Sequence, residues 1–356
     1  MKKLEKLFPT MVIGSLPRPQ WVQDVIAEIT QKRISEEEAD RLLDTAILFA
    51  IRLQERAGLD YISDGEWRRE NYVGVFADRI GGFSHETVEG KRLSWPHVTS
   101  RLEPRRNISC DDAEFLRRNT ERRIMVPLPS PFTIGLHMWH PELSADAYPT
   151  REEFVQECVT IIRQEVIALS AIGVDAIQLD EPWQAWLSNP SAYHLDSDQD
   201  IQAALELSVK SVNQVTEGLD DLFFSVHLCH SHRMELVPSE STYNPLMDVV
   251  NKIDVGRFAM EFNSPASGGF EKLNRFPEDR ILGLGVINPI SFDVETVENV
   301  ISRVEAGLQF VSADRIVLNP DCGFATSAAS PQDLDVAYRK LCVMCEAAES
   351  LRSDYD

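Results

Sequence analysis

The sequence predicts an α/β protein of the TIM (β/α)8 barrel class, and three observations carry that expectation. Short β-branched or apolar runs alternate with helical patterns along the 356 residues, as parallel strands joined by crossover helices do. Eight such runs can be counted, near 11–15 (MVIGS), 60–64 (DYISD), 124–128 (IMVPL), 175–180 (DAIQLD), 222–228 (LFFSVHL), 257–262 (RFAMEF), 281–287 (ILGLGVI) and 315–320 (RIVLNP). The length also suits one barrel, so a single domain spanning 1–356 is expected.

The connecting elements carry their own punctuation. Ser35 with Glu38 fits a capping box that opens the first long helix, and Gly58 stands where that helix should end. The segment 68–122 holds Gly81-Gly82, Trp95-Pro96 and a charged run. It is too long for a simple crossover and is expected to be an excursion after strand 2, over one barrel end. Thr150 with Glu153 starts a helix in which Phe154, Cys158, Ile162 and Val166 form one buried stripe. Ser330-Pro331 is expected to open the final helix, with proline at its first position.

Composition narrows the function. Hydrophobic residues at 43% and charged residues at 26% allow a large core and argue against disorder. A net charge of −22 repels phosphate backbones and anionic membranes, so no nucleic-acid or membrane partner is expected. The N-terminal MKKLEKLFPTMVIG lacks a long apolar run, and no later stretch reaches the roughly 18 residues of a membrane span. Cys110, Cys158, Cys229, Cys322, Cys342 and Cys345 do not make a secreted disulfide framework, which points to a reducing cytoplasm.

In such a barrel, functional groups gather where strands end. Here those ends are polar: Gly14-Ser15, Asp64-Gly65-Glu66, Asp180-Glu181, His227-Leu228-Cys229-His230, Glu261 and Asp321-Cys322-Gly323. His227 and Cys229 are two apart, so on an extended strand end their side chains point the same way. An imidazole and a thiolate suit zinc, and Cys322 and Glu261 offer third and fourth ligands from neighbouring strand ends. H-x-C alone also fits a buried cysteine beside a hydrogen-bonded histidine. His230 and His232 read as solvated or supporting groups, and Cys342 with Cys345 as core packing within the last helix. Asp180-Glu181-Pro182 reads equally as a carboxylate pair or a helix N-cap, and Asp64-Gly65-Glu66 equally as a turn.

Taken together, IGSLPRP at 13–19, DGEWRREN at 64–71, QLDEP at 178–182, HLC at 227–229 and NPDCG at 319–323 resemble, in order, the motifs of cobalamin-independent methionine synthases. The resemblance runs from about 10 to 350, to the catalytic C-terminal half of the long enzymes and to the short, single-barrel members. It implies a zinc-dependent methyltransferase that forms L-methionine from L-homocysteine, with zinc on His227, Cys229, Glu261 and Cys322. It also implies homocysteine binding by Ile13, Gly14 and Ser15, with Glu66 and Asp180, the expected catalytic acids, facing its ammonium. That division is chemically sensible, since a zwitterion needs donors for its carboxylate and acids for its ammonium.

The methyl-donor side departs from the family pattern. Ile290 stands where the proton-donating histidine is expected, Trp186 replaces a glutamate, and the pteridine-binding RCxRPP pattern is absent. A pteridine-stacking tryptophan corresponds to His137 by an ungapped count, or to Trp139. A methylfolate donor needs its amine protonated to leave. The sequence therefore favours another donor, such as a methylcorrinoid or a methyl group delivered by a partner protein, over 5-methyltetrahydrofolate. Three alternatives stand beside this reading: an alkyltransferase acting on another thiol such as coenzyme M, a structural zinc or metal-sensing protein, and a porphyrin-binding decarboxylase. The decarboxylase would bring arginines into the crown, where only Arg18 is found.

Overall fold

The computed structural model describes residues 4–69, 71–86, 95–187, 189–229, 246–263, 267, 269–325 and 333–355. The chain enters through α1 (Gln20–Thr30) and α2 (Glu36–Ala57), then β1 (Tyr61–Ile62). Next come α3 (Gly74–Arg79), an antiparallel hairpin of β2 (Ile80–Ser84) and β3 (His97–Pro104), and α4 (Cys110–Asn119). The following elements are β4 (Arg123–Pro129), α5 (Pro131–Met138), α6 (Arg151–Ile172), β5 (Ala176–Asp180), α7 (Trp183–Leu187) and α8 (Asp198–Thr216). The chain ends with β6 (Phe223–Leu228), α9 (Met247–Val250), β7 (Arg257–Met260), β8 (Ile281–Ile287), α10 (Val297–Leu308), β9 (Ile316–Pro320) and α11 (Leu334–Tyr355).

Seven strands pair in the order β1-β4-β5-β6-β7-β8-β9, every step parallel. The eighth position is occupied by Thr10 and Met11, which form single parallel bridges to Leu318 and Tyr61. Met11 N donates to Leu318 O at 2.9 Å, and Tyr61 N donates to Thr10 O at 3.0 Å. These bonds join the two edges of the curled sheet, and the ring is the expected TIM-like barrel.

The expected first strand, 11–15, is therefore reduced to a bridge one residue earlier. The reason lies in where its backbone bonds go. Ile13 O accepts from Gln178 Nε2 at 2.7 Å, Gly14 O from Ser63 Oγ at 2.8 Å, and Ser15 O from Phe324 N at 2.9 Å. The expected 60–64 strand contracts to Tyr61–Ile62 because the buried Gln54 side chain takes both backbone groups of Ser63, at 3.0 and 2.7 Å. Within 68–122, the hairpin leaves the barrel pattern, whereas α4 packs on α6 as a crossover helix leading into β4.

The helix signals act as their chemistry dictates. Ser35 Oγ and Thr150 Oγ1 accept from Glu38 N and Glu153 N, both at 3.2 Å, and Gly58 caps α2 in the left-handed conformation. Phe154, Cys158, Ile162 and Val166 are all fully buried. Ser330-Pro331 lies outside the described residues. Among the described residues, no helix is long and apolar enough to cross a membrane.

Barrel closure is reinforced by Asp60, whose Oδ2 accepts from Thr10 N at 2.8 Å and from Arg352 Nη2 at 2.9 Å, while Lys6 pairs with its Oδ1. Arg352 also donates to Leu7 O and Phe8 O, both at 2.8 Å, so α11 clamps the first bridge onto β1. Removing the carboxylate strands a guanidinium and a backbone N–H in a mostly dry position. Asp60→Ala is expected to cost about 2–4 kcal/mol. Chemical denaturation checks this, and a loss below about 0.5 kcal/mol, the range of an ordinary surface change, would show the clamp to be dispensable.

Candidate metal centre

Three strand ends converge at the barrel mouth. His227 is the penultimate residue of β6, Cys229 follows that strand, and Cys322 follows β9. All three are buried, and their ligand atoms lie within 4.8 Å of one another. None of the three is in a disulfide. Two sulfurs and an imidazole nitrogen at this spacing are three donors that could hold a metal ion.

Each donor is held from behind. His227 Nδ1 lies 3.4 Å from Asp180 Oδ1, and its Nε2 lies 3.4 Å from Asp321 O. Asp180 Oδ1 is fixed by Gln178 Nε2 at 3.0 Å, the same amide that binds Ile13 O. Asp321 accepts from Phe262 N at 3.0 Å and Asn263 N at 2.9 Å, which ties the loop after β7 to Cys322. Beyond Cys322, Gly323 lies so close to Ser15 that a Cβ there would overlap its hydroxyl, and Ala325 N donates to Ser15 Oγ at 3.2 Å.

The electrostatics follow from burial. A hydrogen bond from Cys322 and the neighbouring His227 hold the Cys229 thiol well below its ordinary range, against the cost of burial. The shared hydrogen bond and burial push Cys322 well above it. Burial works against protonation of His227, yet Cys229 and Asp180 outweigh it and hold the imidazole well above its ordinary value. A divalent ion bound there would compete with protons for all three groups.

Glu261 is fully buried, and both cysteines feel its charge. Its carboxylate is not in the close group formed by the other three, so the structure brings together His227, Cys229 and Cys322 and leaves Glu261 at their margin. Its carbonyl accepts from Lys272 Nζ at 3.1 Å. Lys272 is itself buried under Phe262, with its ammonium 3.9 Å from the ring centroid. Burial lowers the Lys272 pKa to about 7.

The remaining candidates lie beside this centre. Glu66 occupies a left-handed backbone position (φ 59°) in the turn after β1, where Asp64 Oδ1 accepts from its N at 3.0 Å. Such a conformation in a non-glycine residue costs energy and marks a constrained site. Its carboxylate is packed over Gly14, where any Cβ would overlap Oε1. Burial raises Glu66 to about 7, with Asp180 and Asp64 adding to the rise and Arg69 opposing it. Glu181 is also raised to about 7 by burial, and it is held by Ser130 Oγ at 2.5 Å and Thr133 Oγ1 at 3.3 Å. It therefore supports the loop after β4 and faces away from open chemistry. Two residues that the sequence reading passed over also belong here. Arg69 is buried and donates to Pro127 O at 3.0 Å, and Tyr72 has a phenol raised well above its ordinary value by burial and by Cys229, Asp180, Tyr193 and Cys322. Both follow DGEW directly, and the lengthened loop there was the available signal. His230 and His232 lie outside the described residues.

An α/β barrel with a buried His/Cys/Cys centre ringed by carboxylates defines a class of metal-dependent thiol-handling enzyme. The comparisons name the family. The sequence profile described as "Cobalamin-independent synthase, Catalytic domain" matches residues 8–350. The chain belongs to the cobalamin-independent methionine synthase family. The methionine synthase of Pyrococcus furiosus is 27% identical over 358 residues, covering 98% of this chain and 94% of that one. That of Saccharolobus solfataricus is 26% identical over 362 residues, covering 99% and 97%. Among solved structures, a B12-independent methionine synthase from Shewanella sp. W3-18-1 in complex with selenomethionine shares the fold. Its TM-score is 0.80 at 23% identity, covering 98% of this chain and 99% of that one.

Glu66 supplies a test of the electrostatics. Its folded-state pKa is about 7 against an ordinary 4.5, so between those values the folded protein holds a proton that the unfolded chain has lost. Stability should therefore fall as pH rises through that window and level off above it. Glu66→Gln keeps the shape and removes the titration. The stability lost between pH 5 and pH 8 should shrink by on the order of 2–3 kcal/mol. Thermal and urea melts across that range check this, and an unchanged pH slope would show that Glu66 is solvated.

Proposed function

We propose that this chain methylates the thiol of L-homocysteine to give L-methionine at a zinc ion held by His227, Cys229 and Cys322, with Glu261 as the fourth ligand. The observation that carries the reading is the group of three buried soft donors, with Asp180 beside His227 and Glu66 packed over the turn at Gly14. Zinc bound there would deprotonate a substrate thiol and keep its sulfur nucleophilic near neutral pH. Glu261, at the margin of the group, would complete the set of residues that hold the ion and leave its donors accessible to a substrate sulfur.

The chain's own residues do the rest. Glu66 stands within electrostatic reach of Asp180, and Asp180 of His227, so two acids share a buried space. An ammonium entering between them relieves that repulsion and gains charge-assisted hydrogen bonds. The substrate carboxylate falls to the turn of Ile13, Gly14 and Ser15. Ser15 Oγ is positioned by the Ala325 amide, and Gly14 leaves room for the Glu66 carboxylate. Asp180 serves twice, since it also orients His227. This acid pair favours an amino acid over coenzyme M, whose sulfonate carries no ammonium.

On the donor side, the proposal is a methyl carrier other than free 5-methyltetrahydrofolate, with a methylcorrinoid or a partner-delivered methyl group as the expectation from sequence. Ile290, in the loop after β8, presents an aliphatic side chain where an amine leaving group would need an acid.

Zinc content and homocysteine binding test the acceptor side together. The protein should bind about one zinc per chain, and Cys322→Ser should lower zinc affinity at least ~10-fold, the scale of losing a ligand or its support. Titration calorimetry should show homocysteine binding that disappears on chelation, releases a proton, and exceeds coenzyme M binding by at least ~10-fold. Full zinc retention in Cys322→Ser, or a zinc-loaded protein that ignores both thiols, would leave only a structural metal site.

A further inference from the structure

Four aromatic side chains outside the metal centre form a connected arc. Tyr72 packs edge-on against Trp95 with ring centroids 6.4 Å apart. Trp95 lies 5.1 Å from the His137 ring, and His137 lies 5.6 Å from Tyr193. Tyr72 also lies within electrostatic reach of Tyr193 at the other end of the arc. All four are only partly buried.

The position of the arc is set by topology. Tyr72 follows the Glu66 turn after β1, Trp95 leads into β3, His137 ends α5 after β4, and Tyr193 lies in the loop after β5. These are the same strand ends that carry Glu66 and Asp180. The Tyr72 phenol also lies within electrostatic reach of Cys229, Asp180 and Cys322. The nearby cation, Arg151, is engaged by the Tyr193 carbonyl at 2.6 Å and by the face of Trp139 at 5.4 Å.

Aromatic faces backed by carboxylates attract weakly hydrated cations, above all methylated ammonium and sulfonium groups. We propose that the arc of Tyr72, Trp95, His137 and Tyr193 is the methyl-donor subsite and that the donor is a methylated onium compound. The inference rests on the thiol methylation argued above and replaces the corrinoid expectation for its second substrate with a different chemical class. In the transfer, the homocysteine sulfur attacks the onium methyl carbon. The new S–C bond forms as the bond from that carbon to the positive nitrogen or sulfur breaks. The electron pair leaves with that heteroatom, which departs as a neutral amine or thioether. The thiolate's negative charge and the onium's positive charge cancel, and the thiol proton has already passed to solvent on binding. The leaving group needs no proton, in keeping with the aliphatic Ile290.

The test uses the zinc-loaded full chain with tetramethylammonium and trimethylsulfonium as probes and tert-butanol as a neutral shape control. Calorimetry should show saturable binding of both cations, at least ~10-fold tighter than the alcohol. Trp95→Leu and Tyr193→Leu should each weaken cation binding about tenfold while leaving zinc content and homocysteine affinity unchanged. Tyr72→Phe, which keeps the ring, should retain it. Glycine betaine and S-methylmethionine labelled with 13C at the methyl are then compared with methylcobalamin and methyltetrahydrofolate as donors. Labelled methionine from an onium donor supports the proposal. Cations bound no better than tert-butanol, or transfer from methylcobalamin or the folate alone, overturn it and leave thiol methylation standing. Failure of homocysteine itself to bind overturns the reading beneath it.

Discussion

The barrel is closed by two residues, and the rest of the site depends on that economy. A full-length first strand would have spent the backbone groups of residues 12–15 on ladder bonds. Because the bridges to β1 and β9 among the described residues end at Met11, with Pro9 O also accepting from Leu318 N at 2.8 Å, the following residues cross the mouth. There Ile13 reaches Gln178 of β5, Gly14 reaches Ser63 beyond β1, and Ser15 reaches the loop that follows Cys322. One short turn therefore fixes the spacing between an acid after β1, an acid ending β5 and a metal-ligand cysteine after β9. Groups distant in sequence are held in register by backbone, the least mobile part of the chain, as a preorganised site requires.

That register concentrates negative charge. Asp64, Glu66 and Asp180 interact with one another, and the two sulfurs add to them. Burial raises Glu66 to about 7, while Asp180 and its neighbours stabilise a proton on His227 against the same burial cost. Desolvation thus dominates at the isolated acid, and the local charge dominates at the imidazole. Buried cations offset part of this excess: Arg69 opposes the rise at Glu66 while also donating to Pro127 O and Ser109 Oγ, and Lys272 feels Asp321 and Glu261 while donating to the carbonyls of Glu261 and Ser267. On the proposed reading, a divalent metal and a substrate ammonium would offset the remainder.

What could be read from the sequence divides along physical lines. Strands β4 to β9 were legible because parallel strands buried on both faces are continuous apolar runs. Helix caps were legible because Ser35 and Thr150 accept through their hydroxyls from amides three residues on, and Gly58 acts through its own backbone. The first strand was not, because MVIGS has strand composition and its ladder partners are taken by side chains (Gln178, Ser63) far away in sequence. His227, Cys229 and Cys322 could be placed together by strand-end logic, as the structure does. The margin position of Glu261 depends on Asp321 and Lys272 pulling the loop after β7, and no local pattern encodes that. Tyr72 and Trp95 were invisible as site residues, since their neighbourhood is created by a hairpin whose docking no periodicity reports.

The same division explains why the two halves of the site can change independently. Acceptor residues sit at strand ends, where a shift is transmitted through a packed barrel. The aromatic residues sit on the hairpin, at the end of α5 and in the loop after β5, elements that meet the barrel through side chains and tolerate replacement. A change there alters what approaches the sulfur without disturbing how the sulfur is activated. Trp186 shows the limit of that freedom. It has turned inward against Phe132, 5.7 Å between centroids, and is now part of the core. On the proposed reading, a donor site bordered by a core tryptophan and by Ile290 has few polar groups to offer. Recognition near the thiol would then fall to ring faces and negative charge, which suit a carrier that brings its own positive charge.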